Sequence, residues 1–287
     1  MDEPTSDFVR RRPAAPLRPF VASYQGYRQA GGPPGRHRGL PSPHLTVIIT
    51  LDDPLVIAAH PDPATPPGRY DALVGGLHTA PALITHDGRQ SGIQIDLSPL
   101  GARALLGLPA GEIAGADLDA AAVWGPFAAE LRERVLAATG WARRFAVLDE
   151  LLMRRLDPDA QVQPEVSLAW RWLLLTSGGV AVSALAREVG WSRGHLSQRF
   201  GIEVGLRPKA AARVMRFDRA RWLLQGHVSA GRTMSLATLA ATCGYFDQAH
   251  LAREFGEFAG CSPSGWLAEE FANIQAFAVP ALPGSTP

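Results

Sequence analysis

Between Leu185 and Pro263 the chain states one pattern twice. Leu185-Ala186, Val189-Gly190, His195-Leu196 and Phe200 return as Leu239-Ala240, Cys243-Gly244, His250-Leu251 and Phe255. Downstream, Gly205-Leu206-Arg207-Pro208 is answered by Gly260-Cys261-Ser262-Pro263. The offset is 54 residues from Ala186 to Ala240 and 55 from His195 to His250, so one residue is added inside the second turn. Such a duplication constrains the fold strongly, because each local rule must hold in both copies.

The repeated residues are those that a pair of short helices crossing steeply through a tight turn requires. Ala186 and Ala240 permit close crossing, and Gly190 and Gly244 permit a positive φ in the turn. Leu185 and Val189 share one face of a first helix, as do Leu239 and Cys243. Leu196 with Phe200, and Leu251 with Phe255, supply the matching apolar pairs on the second helices. Ser192 and Asp247 stand where N-caps are needed.

Once those pairs are buried, the outward face of each second helix follows. The first presents Arg193, Gly194, Ser197 and Gln198, with Arg199 beside them; the second presents Gln248, Ala249, Ala252 and Arg253, with His250 at its edge. Arg, Gln, Ser and His side chains hydrogen-bond base edges and phosphates. Gly194 and Ala249 leave room for close approach to a groove. Gly194 costs about 1 kcal/mol of helix propensity relative to Ala, which close approach would offset. Between the modules, Pro208 to Leu224 predicts one helix with a stripe of Ala211, Val214, Met215, Ala220, Leu223 and Leu224. A rod on the order of 25 Å results. It would set the two second helices about one duplex turn apart on one face of DNA.

The rest of the chain predicts a second domain. At 287 residues there is room for two cores. A hydrophobic content of 46% beside 19% charged residues excludes a disordered chain. Two cysteines give no disulfide framework and suit a reducing cytoplasm. Both fall at apolar positions of the repeat and are expected to be buried core thiols. No signal peptide follows Met1-Asp2-Glu3-Pro4, and no apolar run is long enough to span a bilayer, so no membrane association is expected. From Glu165 to Phe271 there are 12 Lys+Arg and 9 Asp+Glu, net +3; the remainder holds 16 basic and 18 acidic residues, net −2. The sign suits DNA at one end, though the magnitude alone would not establish it.

Residues 1 to 42 are rich in Pro, Gly and Arg and show no clear periodicity. Strands are predicted over His44–Leu51, Leu55–Ala59, Ala72–Leu77, Ala82–Thr85 and Ile93–Leu97, as in a small antiparallel sheet or barrel. A short helix follows from Ser98 through Leu106. Phe127, Leu131 and Val135, then Trp141, Phe145, Leu148 and Leu152, predict a helical pair broken at Thr139-Gly140, either core or dimer surface. The expected domains are 1–157, a linker at 158–164, 165–272, and a flexible tail over 273–287. His37, His44, His60, His78 and His86 lack metal-ligand spacing, so no metal is expected, and Asp52-Asp53 before Pro54 predicts a turn.

The segment from Val182 to Trp266 resembles the DNA-binding domain of the AraC/XylS transcriptional regulators. The run Gly244-Tyr245-Phe246-Asp247-Gln248-Ala249-His250-Leu251-Ala252-Arg253-Glu254-Phe255, the close Gly260-Cys261-Ser262-Pro263-Ser264-Gly265-Trp266, and Arg216, Ala220 and Leu223-Leu224 carry the likeness. The resemblance implies a seven-helix domain reading adjacent major grooves of double-stranded DNA. Base contacts would come from Gly194, Ser197, Gln198, Gln248, Ala249, His250 and Arg253. Gln198 stands where the family often has Arg, and Gly194 removes a reading side chain, so the first module is expected to be the weaker reader. The stretch from Gly92 to Gly107 resembles a poorly characterised, cupin-like N-terminal domain of such regulators. That resemblance implies a regulatory input and names no ligand. The partners considered besides DNA are RNA polymerase, a small-molecule effector and a second copy of the chain, and no cofactor is expected. The expected fold is therefore two domains: an N-terminal α+β sheet or cupin-like barrel plus a helical pair, and a C-terminal all-α double helix-turn-helix. An enzymatic reading is weighed too. A DNA-repair methyltransferase would need acceptor cysteines outside the repeat, which are absent, and a metal-dependent barrel enzyme would need a ligand set. The protein is expected not to be an enzyme.

Overall fold

The computed structural model describes residues 5–276. Ten strands precede most of the helices: β1 (Thr5–Arg11), β2 (Val21–Ala30), β3 (Gly35–Gly39), β4 (Leu45–Thr50), β5 (Leu55–Ala59), β6 (Gly68–Tyr70), β7 (Ala72–Gly75), β8 (Ala82–His86), β9 (Gln90–Leu97) and β10 (Asp117–Asp119). They form a six-stranded sheet in the order β1-β2-β9-β4-β7-β10 and a four-stranded sheet in the order β3-β8-β5-β6. Every pairing is antiparallel. Ile48 and Leu73 of the larger sheet meet Leu55, Ile57, Ala82 and Ile84 of the smaller in a small apolar cluster.

Residues 1 to 42, whose sequence begins without clear periodicity, nevertheless form β1, β2 and β3. In β2 the buried positions include Ser23 and Gly26 beside Val21 and Tyr24, and the register shifts between Val21 and Ser23. Polar and small residues facing inward, across a bulge, erase the alternation that reveals a strand. Each has a tertiary reason. Ser23 Oγ donates to the buried Asp96 at 2.5 Å, and a Cβ on Gly26 would come within 2.5 Å of the Trp141 ring.

Three short helical pieces follow β9: a 3-10 turn at Pro99–Gly101, α1 (Ala102–Leu106) and a 3-10 turn at Ala110–Ile113. Then come α2 (Ala120–Trp124), α3 (Pro126–Ala137) and α4 (Gly140–Arg155). Leu131, Val135, Phe145, Leu148 and Leu152 are all buried, so the helical pair uses its apolar stripes in this chain's own core. The buried Asp149 of α4 accepts from Ala14 N at 2.8 Å and from Tyr24 Oη at 3.1 Å, which pins the pair to the sheet.

After residues 156–163, seven helices lie within the described residues: α5 (Pro164–Leu175), α6 (Val182–Glu188), α7 (Arg193–Val204), α8 (Pro208–Ser229), α9 (Leu236–Thr242), α10 (Gln248–Ala259) and α11 (Pro263–Ala276). α11 runs past residue 272, where the domain was expected to end; the rest of the expected flexible tail, 277–287, lies outside the described residues.

α8 is longer than its apolar stripe suggests. Gly226 does not stop it, and the chain turns instead at Gly231, φ 65°, where Arg232 N reaches back to His227 O. Its 22 residues give a rod of about 33 Å.

Packing divides the molecule differently from the chain order. One continuous apolar core runs from Leu17 and the large sheet through α3 and α4 to Trp170, Leu185, Leu196, Phe200 and Met215. A separate cluster holds Val214, Phe217, Leu239, Leu251, Phe255, Phe258 and Trp266. The first helix-turn-helix thus shares its core with the N-terminal domain, and the second has its own. Contact at the boundary is close: a Cβ on Gly111 would lie 2.5 Å from Ile202 O and 2.7 Å from Gly201 O, so only glycine allows the 110–113 turn to reach α7.

Candidate nucleic-acid interface

Each module is built as its residues require. Leu185, Ala186, Leu196 and Phe200 are buried in the first, and Leu239, Ala240, Leu251 and Phe255 in the second. The turns pass through Gly190 at φ 70° and Gly244 at φ 75°. Ser192 Oγ accepts from His195 N at 3.2 Å, and Asp247 Oδ1 from His250 N at 2.6 Å, so both N-caps close the first turn of their helices.

The two in-phase histidines have matching surroundings. His195 stands edge-on to Trp191 with ring centroids 4.6 Å apart, and His250 edge-on to Tyr245 at 5.2 Å. His250 Nδ1 also accepts from Phe246 N at 3.4 Å, and its Nε2 lies 3.8 Å from Glu254. Both rings therefore brace the turn, with His195 exposed and His250 half-buried.

Arg193, Gly194 and Gln198 on α7 are exposed and Ser197 is half-buried; Gln248, Ala249 and Arg253 on α10 are exposed. A Cβ on Gly194 would meet nothing within 4 Å. Arg199 differs from these residues: it is half-buried and its Nε donates to Gln163 Oε1 at 2.9 Å, which ties it to the start of α5.

α8 fixes α10 electrostatically as well as by packing. The buried Glu254 carboxylate receives Arg213 Nε at 2.6 Å and Arg216 at 3.4 Å, while Arg216 lies over the Tyr245 ring. Burial beside Glu254 raises the Tyr245 hydroxyl well above its ordinary range, so it stays protonated. Cys243 is buried and its thiol is pushed up to about 11 by desolvation, as expected of a core cysteine. Cys261 corrects that expectation. It is only half-buried, because it sits in the link between α10 and α11 and not on a helix face.

Two ion-pair clusters that sequence spacing does not reveal join the domains. Arg103 of α1 grips Glu203 of α7 with two hydrogen bonds, Nε to Oε2 at 2.7 Å and a terminal nitrogen to Oε1 at 2.9 Å, and Glu203 is 3% exposed. Arg38 of β3 reaches Glu269 at 2.6 Å, and its backbone N–H donates to Glu270 at 3.0 Å.

Beside this second bridge lies a cavity of about 330 Å³ between the two sheets and the C-terminal helices α8 and α11. Ile48, Leu55, Ile57 and Leu73 form its apolar floor, and Gln25, Gln94 and Asp96 one polar wall. Arg221, Trp222 and Gln225 of α8 close the other side. His37 Nδ1, Gln225 Oε1 and Arg221 Nε are buried there without a hydrogen-bond partner among the described residues. Desolvation, helped by His86, lowers His37 to about 4, so it is neutral near pH 7. No group of three or more His, Cys, Asp or Glu among the described residues is arranged to hold a metal ion. No helix among them is long and apolar enough to cross a membrane.

Residues 185–269 match the family model described as a helix-turn-helix domain, and residues 9–119 match a domain of unknown function, DUF6597. No curated protein matches the chain. Among solved structures, the C-terminal domain of AraT, a response regulator from Geobacillus stearothermophilus, aligns at 20% identity and TM-score 0.33, covering 37% of this chain and 84% of that one. A ligand-free, singly substituted ToxT from Vibrio cholerae aligns at 8% identity and TM-score 0.50, covering 86% of this chain and 96% of that one. This second likeness is one of fold, an N-terminal sheet domain followed by a helical domain. The duplicated helix pairs, their exposed second helices and the match over 185–269 give the chain a C-terminal helix-turn-helix domain of the kind that AraC/XylS DNA-binding regulators carry.

Proposed function

We propose that this protein is a sequence-specific transcriptional regulator that reads two successive major grooves of double-stranded DNA under the control of its N-terminal domain. The observation that carries this reading is the duplicated geometry: two N-capped second helices, α7 and α10, each present an exposed polar face, and both modules are joined through the one helix α8. In this reading Arg193, Gly194, Ser197 and Gln198 meet one groove, and Gln248, Ala249, His250 and Arg253 meet the next. Arg199, held by Gln163, acts as a brace. Arg253 is the long, exposed cation of the second helix and the natural partner for a guanine edge. Arg253→Ala is expected to weaken binding to a selected duplex by about 1–3 kcal/mol and to relax the preference at one base pair. Equal weakening on every sequence, measured by competition binding, would make Arg253 a phosphate contact and remove the base-reading role.

The control is proposed to come from a small molecule in the cavity between the sheets and α8. Support comes from the three unpartnered buried atoms, one from the sheet domain and two from α8, the helix that joins the modules. Burying such atoms without partners is costly, and a ligand that hydrogen-bonds them would offset the cost. Arg38 and Arg221 on the lining are already neutralised by Glu269, Glu270 and Asp218, and Arg10, the remaining lining arginine, is exposed to water, which favours an uncharged ligand over an acid in the buried part. A thermal-shift screen of uncharged polar compounds should yield hits that stabilise the wild type and lose most of their effect in Gln225→Leu. Hits that stabilise both proteins equally would place the effector elsewhere.

A further inference from the structure

The second repeat exceeds the first by one residue, and the structure identifies that residue and where it points. In the first module Gly190 is followed by Trp191 and then directly by the N-cap Ser192; in the second, Gly244 is followed by Tyr245, Phe246 and the N-cap Asp247. Tyr245 takes the place of Trp191, since each meets the in-phase histidine edge-on. Phe246 is therefore the insertion, with no equivalent in the first module to pack as it would.

The inserted side chain is a phenyl ring that is 93% exposed. Scattered apolar residues on a surface are ordinary, but the placement of this one is not. Turn geometry here asks for no ring, and a polar residue would serve at lower cost in water. The backbone at Phe246 is held, because its N–H donates to His250 Nδ1, so the ring is carried from a fixed point at the start of α10. It stands immediately before the N-cap of α10, the end of a recognition helix that enters a groove first, and beside exposed Gln248 and Ala249. Ala249 projects too little to shield it.

We propose that Phe246 contacts DNA and reads the C5-methyl group of a thymine at the edge of the second module's half-site. The thymine methyl is the apolar feature of the major groove, and an aromatic ring is a suitable partner for it. Burying that methyl against the ring uses surface that folding leaves wet. The added residue makes the two modules unequal readers: the second gains an apolar determinant that the first, with Trp191 turned onto His195, lacks. This inference rests on α10 being a major-groove helix.

The test uses the full chain. Duplexes are selected from a randomised pool, and each thymine of the best one is replaced singly by deoxyuridine, which removes only the methyl. The wild type should lose about fourfold in affinity at one position near the second half-site. Phe246→Ala should bind the thymine and deoxyuridine duplexes equally at that position while still selecting the remaining bases. Phe246→Leu should keep part of the discrimination. Identical deoxyuridine profiles for wild type and Phe246→Ala would overturn the proposal. So would a Phe246→Ala protein that binds every duplex as the wild type does yet fails to alter transcription, an outcome that assigns the ring to a protein partner. Should the wild type select no sequence at all, the reading of α10 fails, and this inference fails with it.

Discussion

Arg103→Met is expected to destabilise the full chain by about 3 kcal/mol, the lower end of the range for stranding a buried charge, because Arg103 itself is partly open to water. Glu203 is the reason. Its carboxylate is buried on α7 and both its oxygens are held by the one guanidinium. Methionine fills the alkyl space but leaves the anion with neither water nor cation. The α7 backbone should then exchange amide hydrogen faster than α10, since α7 lies against the 110–113 turn and shares the large core. Adding Glu203→Gln to Arg103→Met should recover most of the loss, because no charge is then stranded. If Arg103→Met shifts the urea midpoint negligibly, or the double variant is worse than the single, the bridge does not hold the domains together.

Phe255→Ala should cost about 3–5 kcal/mol, with the loss concentrated in the second module. Phe255 is fully buried, lies 5.0 Å from the Phe217 ring in a T-shaped pair and 5.7 Å from Trp266, and belongs to the smaller core that is separate from the rest. Removing the ring empties the centre of that core and leaves the larger one untouched. The expected result is two unfolding transitions, the earlier one reporting α9, α10 and α11, followed by loss of affinity for the half of the DNA site that α10 reads. A single cooperative transition at lower denaturant would show that the two cores fold as one unit.

These two positions differ in how far the chain itself announces them. Phe255 is legible from the repeat alone: its phase with Leu251, and the answering Phe200 and Leu196, require it to be inside. Glu203 is not. It falls on the buried face of α7 in phase with Leu196 and Phe200, but a carboxylate there has no visible reason to be inside, and its partner Arg103 is a hundred residues away with no local period to connect them. The same contrast runs through the molecule. Both N-caps, both turn glycines and the helical pair α3–α4 could be anticipated because caps, positive φ and apolar stripes are local requirements. β2 could not, because its inward Ser23 and Gly26 make sense only beside Asp96 and Trp141. The end of α8 lies beyond the apolar stripe that ends at Leu224: the helix continues through Gly226 to Ser229 and the chain turns at Gly231.

At the candidate site, the exposed faces of α7 and α10 follow from which residues each helix must bury, so the outward placement of Arg193, Gly194, Gln198, Gln248 and Arg253 is legible in the repeat. Sequence could locate the added residue in the second turn, but only the structure showed it to be Phe246 with its ring in water. It also showed that Arg199 faces Gln163.

What the amino-acid order decided by itself is the pair of modules, because helix propensity, capping and periodic burial act over a few residues and repeat when the residues repeat. The partition of cores, the grip of Arg103 on Glu203 and the cavity against α8 arise only once the chain has folded. Those depend on surfaces brought together from distant parts of the chain, where shape and charge meet without any spacing rule to announce them.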